Sequence, residues 1–337
     1  MSDTGTSTPA LETSGAAPAP REPAKTPSRG QELLRRAFGI DELGPLLALI
    51  ALVALIGIFH SNFLEKDVLL NTVRSAAFVA IAAYGMVYLL AMTEIDLSVG
   101  GIYALSLMLA AKWMSSIDPW VAALLAIGVA VLLGAVNGVF ANIFRIPVII
   151  ITLGTLSMYR GLVQIVSDGK PATGIPLDSS FFTRLGENTL GVPTPVWIVL
   201  ILGVILTFVF KKTRFGAMVR ACVDNRRAAN ASGLNTDLIF AVTFAVGGGL
   251  AGLGGALSAN LLGLDPNFPL RYLVYVLIVV SIGGMGTIGG TLLAAIALGI
   301  ADVAGKYYFP TVGGFFIYIV TVLVMLWRPH GLLGRQV

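Results

Sequence analysis

Residues 120–144, WVAALLAIGVAVLLGAVNGVFANIF, run on without a single charged side chain. A helix needs about 20 apolar residues to cross the hydrocarbon core of a bilayer, and this run is long enough to do so. Working outward, comparable apolar segments stand at 43–59, 72–92, 99–114, 147–166, 195–210, 238–262, 272–282, 288–305 and 313–327. The sequence therefore predicts an all-α, polytopic membrane protein with about ten (8–10) transmembrane helices.

Composition agrees. Of 337 residues, 56% are hydrophobic and only 12% are charged. A soluble domain carries about 25% charged residues, so this chain cannot cover its own surface with polar groups and needs membrane lipid to do so. The 39 glycines suit helices that approach closely in lipid. A net charge of +4 reflects cations in loops, which makes a nucleic-acid partner unexpected. The single cysteine, Cys222, excludes an internal disulfide, and the two histidines, His60 and His330, have no ligand set near them. No metal and no cofactor are expected, and no enzyme activity.

Residues 1–36 are rich in Ser, Thr, Pro and Ala, too polar to offset their chain entropy by burial, and read as a disordered cytoplasmic tail. A short amphipathic piece is expected at 31–38. The remainder, 37–337, reads as the transmembrane domain. Arg35 and Arg36 before the first apolar run place the N-terminus inside, and an even number of crossings returns the C-terminus to the same side. On that map 14 of the 22 cations lie inside. The long segment 167–193, with Phe181 and Phe182 among turn residues, becomes an external loop, either a small amphipathic plug or a loose connection.

Two interruptions mark candidate positions on a translocation path. The first is Thr93-Glu94-Ile95-Asp96-Leu97-Ser98-Val99-Gly100-Gly101. Carboxylates at membrane depth are costly and ordinarily face a water-filled route or a partner. Asp96 and Ser98 are equally able to cap the helix that begins near Val99. The second is Gly283-Gly284-Met285-Gly286-Thr287-Ile288-Gly289-Gly290, a tight reversal, a hinge or simply close packing. Asp302, near the end of its apolar run, reads as a snorkelling acid.

The segment 211–236, KKTRFGAMVRACVDNRRAANASGLNT, is a cationic island between apolar runs. It is either an inside loop obeying the positive-inside rule or a helical knob that docks on a soluble partner. Phe215, Met218, Val219 and Cys222 fall at helical spacing and form its apolar stripe. Arg214, Arg220, Arg226 and Arg227 stand at the rim, and Gly216 and Gly233 bracket the element. No G-x-x-x-x-G-K-[ST] phosphate loop occurs, so ATP-driven transport would need another chain to bind the nucleotide.

These residues resemble a known family. EIDLSVGG at 94–101 with Leu105, Arg145-Ile146-Pro147 through Thr152-Leu153-Gly154-Thr155, and Arg160-Gly161 are similar to the ribose-type permeases of ATP-binding-cassette importers. So are Thr213-Arg214-Phe215-Gly216, Asn225, Ala228-Ala229 and Gly233-Leu234-Asn235, which match the family's cytoplasmic loop that contacts the ATPase. Glu94 departs from the pattern, standing where such permeases usually have Gly. The C-terminal third, with Gly283–Gly286 and WRPHGLLG at 327–334, looks more like branched-chain amino-acid permeases.

The resemblance implies a type II importer-like permease in the plasma (inner) membrane, paired with itself or a close relative. Cytoplasmic ATPase subunits would bind at 211–236, and a periplasmic or lipid-anchored solute-binding protein would deliver a monosaccharide. A branched-chain amino acid is the alternative solute. A different mechanistic class, an ion-coupled secondary transporter with Glu94 and Asp96 as coupling acids, also fits the residues.

Overall fold

The computed structural model describes residues 50, 53–54, 56–58, 61–171, 175–259, 268–284, 286–308, 313–329 and 331–333. The polar tail 1–36, the amphipathic piece 31–38 and most of the expected span 43–59 lie outside the described residues.

Apolar runs become helices: α1 (Lys66–Ala91), α2 (Val99–Met114), α3 (Pro119–Phe144), α4 (Val148–Ser167), α5 (Ser180–Gly186), α6 (Thr194–Lys212) and α7 (Arg214–Ala231). They continue as α8 (Thr236–Leu257), α9 (Phe268–Gly283), α10 (Ile288–Tyr308) and α11 (Phe316–Trp327). Local chemistry sets the ends. Asp118 accepts from the Trp120 and Val121 N–H groups at 2.9 and 3.2 Å, with Pro119 in the first turn, so α3 starts there. Asn235 accepts from the Leu238 N–H at 3.0 Å and starts α8 in the same way.

Six helices, α1, α3, α4, α6, α8 and α10, are long and apolar enough to cross a membrane. The described residues thus account for fewer full crossings than the ten expected. The physical reason is length: α2 and α9 have 16 residues each. At 1.5 Å per residue they reach about 24 Å, short of a core of about 30 Å.

The core gathers around α8, which packs against α1, α2 and α3. Small residues allow this. A Cβ placed on Gly248 would lie 2.6 Å from the Ala130 carbonyl oxygen and 2.9 Å from the Gly134 Cα. In lipid the hydrophobic effect gives little drive between helices, so van der Waals contact at such seams holds them together.

The two ends of the bundle differ. At one end Lys112 donates to the Val166 carbonyl at 2.7 Å, and α5 folds back with Phe181 and Phe182 buried. Trp120 meets Phe181 edge-on at 4.9 Å and donates to the Ser180 hydroxyl at 3.3 Å. A two-residue hairpin pairs Asn188 with Pro193 and Thr189 with Val192. Segment 167–193 therefore contains a small docked helix. At the other end lie Glu94, Arg145, Arg226 and Asp237.

Candidate functional site

The Arg226 end is built by α7. Thr213 caps it by accepting from the Gly216 N–H at 3.3 Å, and Gly233, with φ +89°, closes it. Asn225 leaves helical geometry (φ −160°, ψ 100°) and its side chain accepts from the Ala228 N–H at 3.0 Å. The element is thus two helical pieces joined at Asn225, which caps the second one.

The stripe expected on this element is present, but it points into the helical bundle itself. Val219 and Cys222 are buried, and Phe215 and Met218 pack beside them against Leu89, Met92, Ala141, Val148 and Phe240. Gly216 has to be glycine for a packing reason: a Cβ there would meet the Val209 carbonyl oxygen at 2.5 Å. Ala229 is buried with the stripe, whereas Arg214, Ala217, Asp224, Asn225, Arg227, Ala228 and Gly233 are exposed. Any soluble partner therefore meets a polar and small-residue surface, because the oily face is already covered. Burial pushes the Cys222 thiol above its ordinary range, partly offset by the Arg226 charge.

Arg226 ties α7 to the bundle. It reaches Asn142 Oδ1 at 2.7 Å and Asp237 Oδ1 at 2.8 Å, and stacks over the Phe240 ring at 5.0 Å. Asn142 in turn donates to the Asp237 carbonyl at 2.8 Å. Both partners of the ion pair are largely exposed, so the pair itself contributes about 0–1 kcal/mol, and its value is positional. Under α7 opens a cavity of about 950 Å³, lined by Glu94, Arg145, Arg226, Arg227, Asn230 and Asp237 among others. Glu94 is half-buried there. Burial raises its carboxyl pKa, and the nearby Arg226 charge opposes the rise.

The 93–101 interruption begins at a helix end. The Glu94 N–H bonds the Leu89 carbonyl at 3.1 Å and the Thr93 N–H bonds the Leu90 carbonyl at 2.9 Å. This is a Schellman closure, whose left-handed position usually holds Gly. Here it holds Thr93 at φ +61°, a β-branched residue in a region that costs it about 1–2 kcal/mol. Thr93→Gly is therefore expected to stabilise the fold by about 1 kcal/mol, read as a higher midpoint of thermal unfolding in detergent.

Asp96 serves the start of α2, whereas Ser98, at its N-cap position, makes no side-chain capping bond. Asp96 Oδ1 accepts from the Ser98 N–H at 2.7 Å and from the Ser98 hydroxyl at 2.6 Å. The chain continues: Asn137 donates to Ser98 Oγ at 2.7 Å, and the Tyr159 hydroxyl donates to Asn137 Oδ1 at 3.0 Å. All four residues are buried. Asn137 and Tyr159 were missed in the sequence reading. The available signal was Asn137, the deeper of the two amides in the uncharged run 120–144. Gly100 and Gly101 allow close approach here. A Cβ on Gly100 would meet the Leu273 N at 2.7 Å, and one on Gly101 would meet the Tyr159 Cβ at 3.0 Å.

The second interruption is a tight reversal between α9 and α10, with Gly284 at φ +94° and Gly286 at φ +83°. The Thr287 hydroxyl donates to the Gly283 and Gly284 carbonyls at 2.9 and 2.8 Å. Leu332 and Leu333 N–H groups bond the Ile282 and Gly283 carbonyls at 2.6 and 3.2 Å, so the C-terminal segment clamps the turn. Met285 and His330 lie outside the described residues. The turn does not meet the 93–98 loop in any hydrogen bond among the described residues. Also among them, no three His, Cys, Asp or Glu side chains gather as a metal site.

Residues 68–325 match the family model described as branched-chain amino acid transport system / permease component. The chain belongs to this permease family. The permease is 31% identical over 263 residues to the ribose import permease protein of Haemophilus influenzae, covering 75% of this chain and 81% of that one. It is 32% identical to the Bacillus subtilis ribose import permease protein, covering 77% and 83%. The D-allose transport system permease protein of Escherichia coli is also 32% identical, covering 74% and 77%. No solved structure matches the permease.

Proposed function

We propose that the permease is the membrane subunit of an ATP-driven importer that moves a small polyhydroxylated solute, a ribose-like monosaccharide. The observation that carries this is the similarity to the ribose and allose permeases over three quarters of the chain. In this reading α7 lies on the cytoplasmic side of the plasma (inner) membrane, and so do both termini. The six long helices cross the bilayer, and the short helices α2, α9 and α11 pack among them. ATPase subunits grip the exposed face of α7 around Arg214, Ala217, Asp224, Arg227 and Ala228. The inward stripe of Phe215, Met218, Val219 and Cys222 carries the force to α1, α3 and α8. Asn225 and Gly233 are the places where α7 can tilt, and rim arginines set register more than affinity. Glu94, Asp96, Ser98, Gly100 and Gly101 form one element of the path, and Gly283, Gly284 and Gly286 form a second. A solute-binding protein docks at the α5 end, and a second permease, identical or closely related, completes the membrane unit.

The test is uptake of radiolabelled ribose by vesicles that contain the permease, its ATPase and its binding protein. ATP-dependent ribose uptake is expected, and the double substitution Arg214→Glu with Arg227→Glu should lower uptake and ATPase retention at least tenfold. Uptake of leucine but not ribose would overturn the solute class in favour of a branched-chain amino acid. Uptake by the permease alone, abolished by a protonophore, would replace the mechanism with ion coupling.

A further inference from the structure

Different arginines hold α7 on the two sides of its break at Asn225. On the first piece, Arg220 donates to the Phe210 carbonyl and lies over the Phe210 ring at 5.6 Å, which ties that piece to α6. On the second piece, Arg226 is the first residue after the break, and it binds Asn142 of α3 and Asp237 of α8. A change of angle at Asn225 therefore shifts α6 relative to α3 and α8. Arg226 is the attachment that such a shift loads.

On the wall of the same cavity stands Glu94, a carboxylate that this arrangement leaves alone. It is half-buried and, among the described residues, makes no side-chain hydrogen bond and no ion pair. Arg145, Arg226, Arg227 and Asp237 line the cavity with it. The charge that acts on Glu94 is that of Arg226, which opposes the effect of burial on the carboxyl. Arg226 is thus near enough to be felt and outside ion-pair distance. A half-buried carboxylate is costly until a cation reaches it.

We infer that Arg226 is a two-position positioning residue, which holds Asp237 and Asn142 in the present arrangement and exchanges them for Glu94 when α7 is pushed. The inference rests on the import reading above, which supplies the push. Three features make the exchange feasible. The Arg226–Asp237 pair is largely exposed on both sides, so it breaks at little cost. Asn225 has already left helical geometry, so the second piece can pivot there. The cavity of about 950 Å³ under α7 gives the guanidinium room to cross. In its second position Arg226 ties α7 to the 93–98 loop and so to the start of α2, where Asp96 accepts from the Ser98 N–H. Glu94 departs from the family pattern, so the exchange is a device of this chain.

The experiment is cross-linking in vesicles holding the complete importer. Ile95→Cys and Asn230→Cys place a pair of thiols on the cavity wall, and each single variant controls for the native Cys222. The probe is a short bismaleimide. Cross-link yield is expected to rise about fivefold when the ATPase is trapped with vanadate, and Glu94→Gln added to the pair should cancel the rise. A yield that trapping leaves unchanged, or a rise that survives Glu94→Gln, would overturn the exchange. Ribose uptake is the second readout. Glu94→Gln should lower it about fivefold, and Glu94→Asp, which keeps the charge, should recover most of the loss. Equal losses in the two variants would reduce Glu94 to a packing role and overturn the exchange. Wild-type vesicles that take up ribose without the ATPase would overturn the import reading and the exchange with it. Unresponsive variants in vesicles that do import with ATP overturn the exchange alone.

Discussion

Gly248→Val is expected to reduce the yield of monodisperse permease in mild detergent to less than a tenth of wild type. The added side chain would meet backbone atoms, not movable side-chain ends: the Ala130 oxygen at 2.6 Å, the Gly134 Cα at 2.9 Å and the Gly134 N at 3.1 Å. No rotamer relieves a clash with backbone, so α3 must move off α8. Overpacking a core costs about 1–3 kcal/mol even where side chains can yield. Here the loss spreads, because Gly138 also packs on α8, where a Cβ would lie 2.7 Å from the Ala241 Cα. Gly128→Val, on the same helix α3 with nothing within 4 Å of its Cβ, is the control and should leave the yield unchanged. Equal yields for both substitutions would refute the view that α8 is the keystone.

Asn137→Leu is the second large effect, a loss of about 1–3 kcal/mol together with at least a tenfold drop in uptake. Leucine fills the space but removes two buried bonds: Ser98 Oγ is left with Asp96 alone, and the Tyr159 hydroxyl with the Leu133 carbonyl at 3.3 Å alone. Each buried bond is worth about 1 kcal/mol, and Asn137→Leu loses two of them together. Tyr159→Phe removes only one hydroxyl and should cost less, about 1 kcal/mol, since Asn137 keeps its bond to Ser98. Ranking the two by thermal unfolding separates a connected network from a set of independent contacts. If Tyr159→Phe proved the costlier of the two, the Asp96–Ser98–Asn137–Tyr159 chain would not be acting as a unit.

Much of the site was legible one residue at a time. Asp96 and Ser98 announce a helix start by type and position; Asp96 accepts from the Ser98 N–H there, while Ser98 itself makes no side-chain capping bond. Gly283–Gly290 announces a reversal because consecutive glycines tolerate positive φ, and the turn has two such residues. What stayed hidden was pairing across the bundle. Nothing in the spacing of Asn137 or Tyr159 says that they meet Ser98, since those contacts span 39 and 22 residues of sequence in two steps. Nor does a stripe of Phe215, Met218, Val219 and Cys222 reveal what covers it. Helical periodicity identifies an apolar face but not its neighbour.

The sequence by itself determined the medium and the class of fold. A chain with 12% charge and repeated uncharged runs must lie in lipid, and in lipid a helix satisfies every backbone group internally. It also determined where helices start and stop, because Asp118, Thr213, Asn225 and Asn235 act on neighbours within three residues. The tertiary structure alone decided which faces are spent inside the molecule. It turned the stripe of α7 inward and left a polar surface outside, and it stacked Tyr103 on Tyr272. Those outcomes depend on how closely backbones approach at glycine seams such as Gly134–Gly248, a distance fixed by many side chains together and by none of them alone.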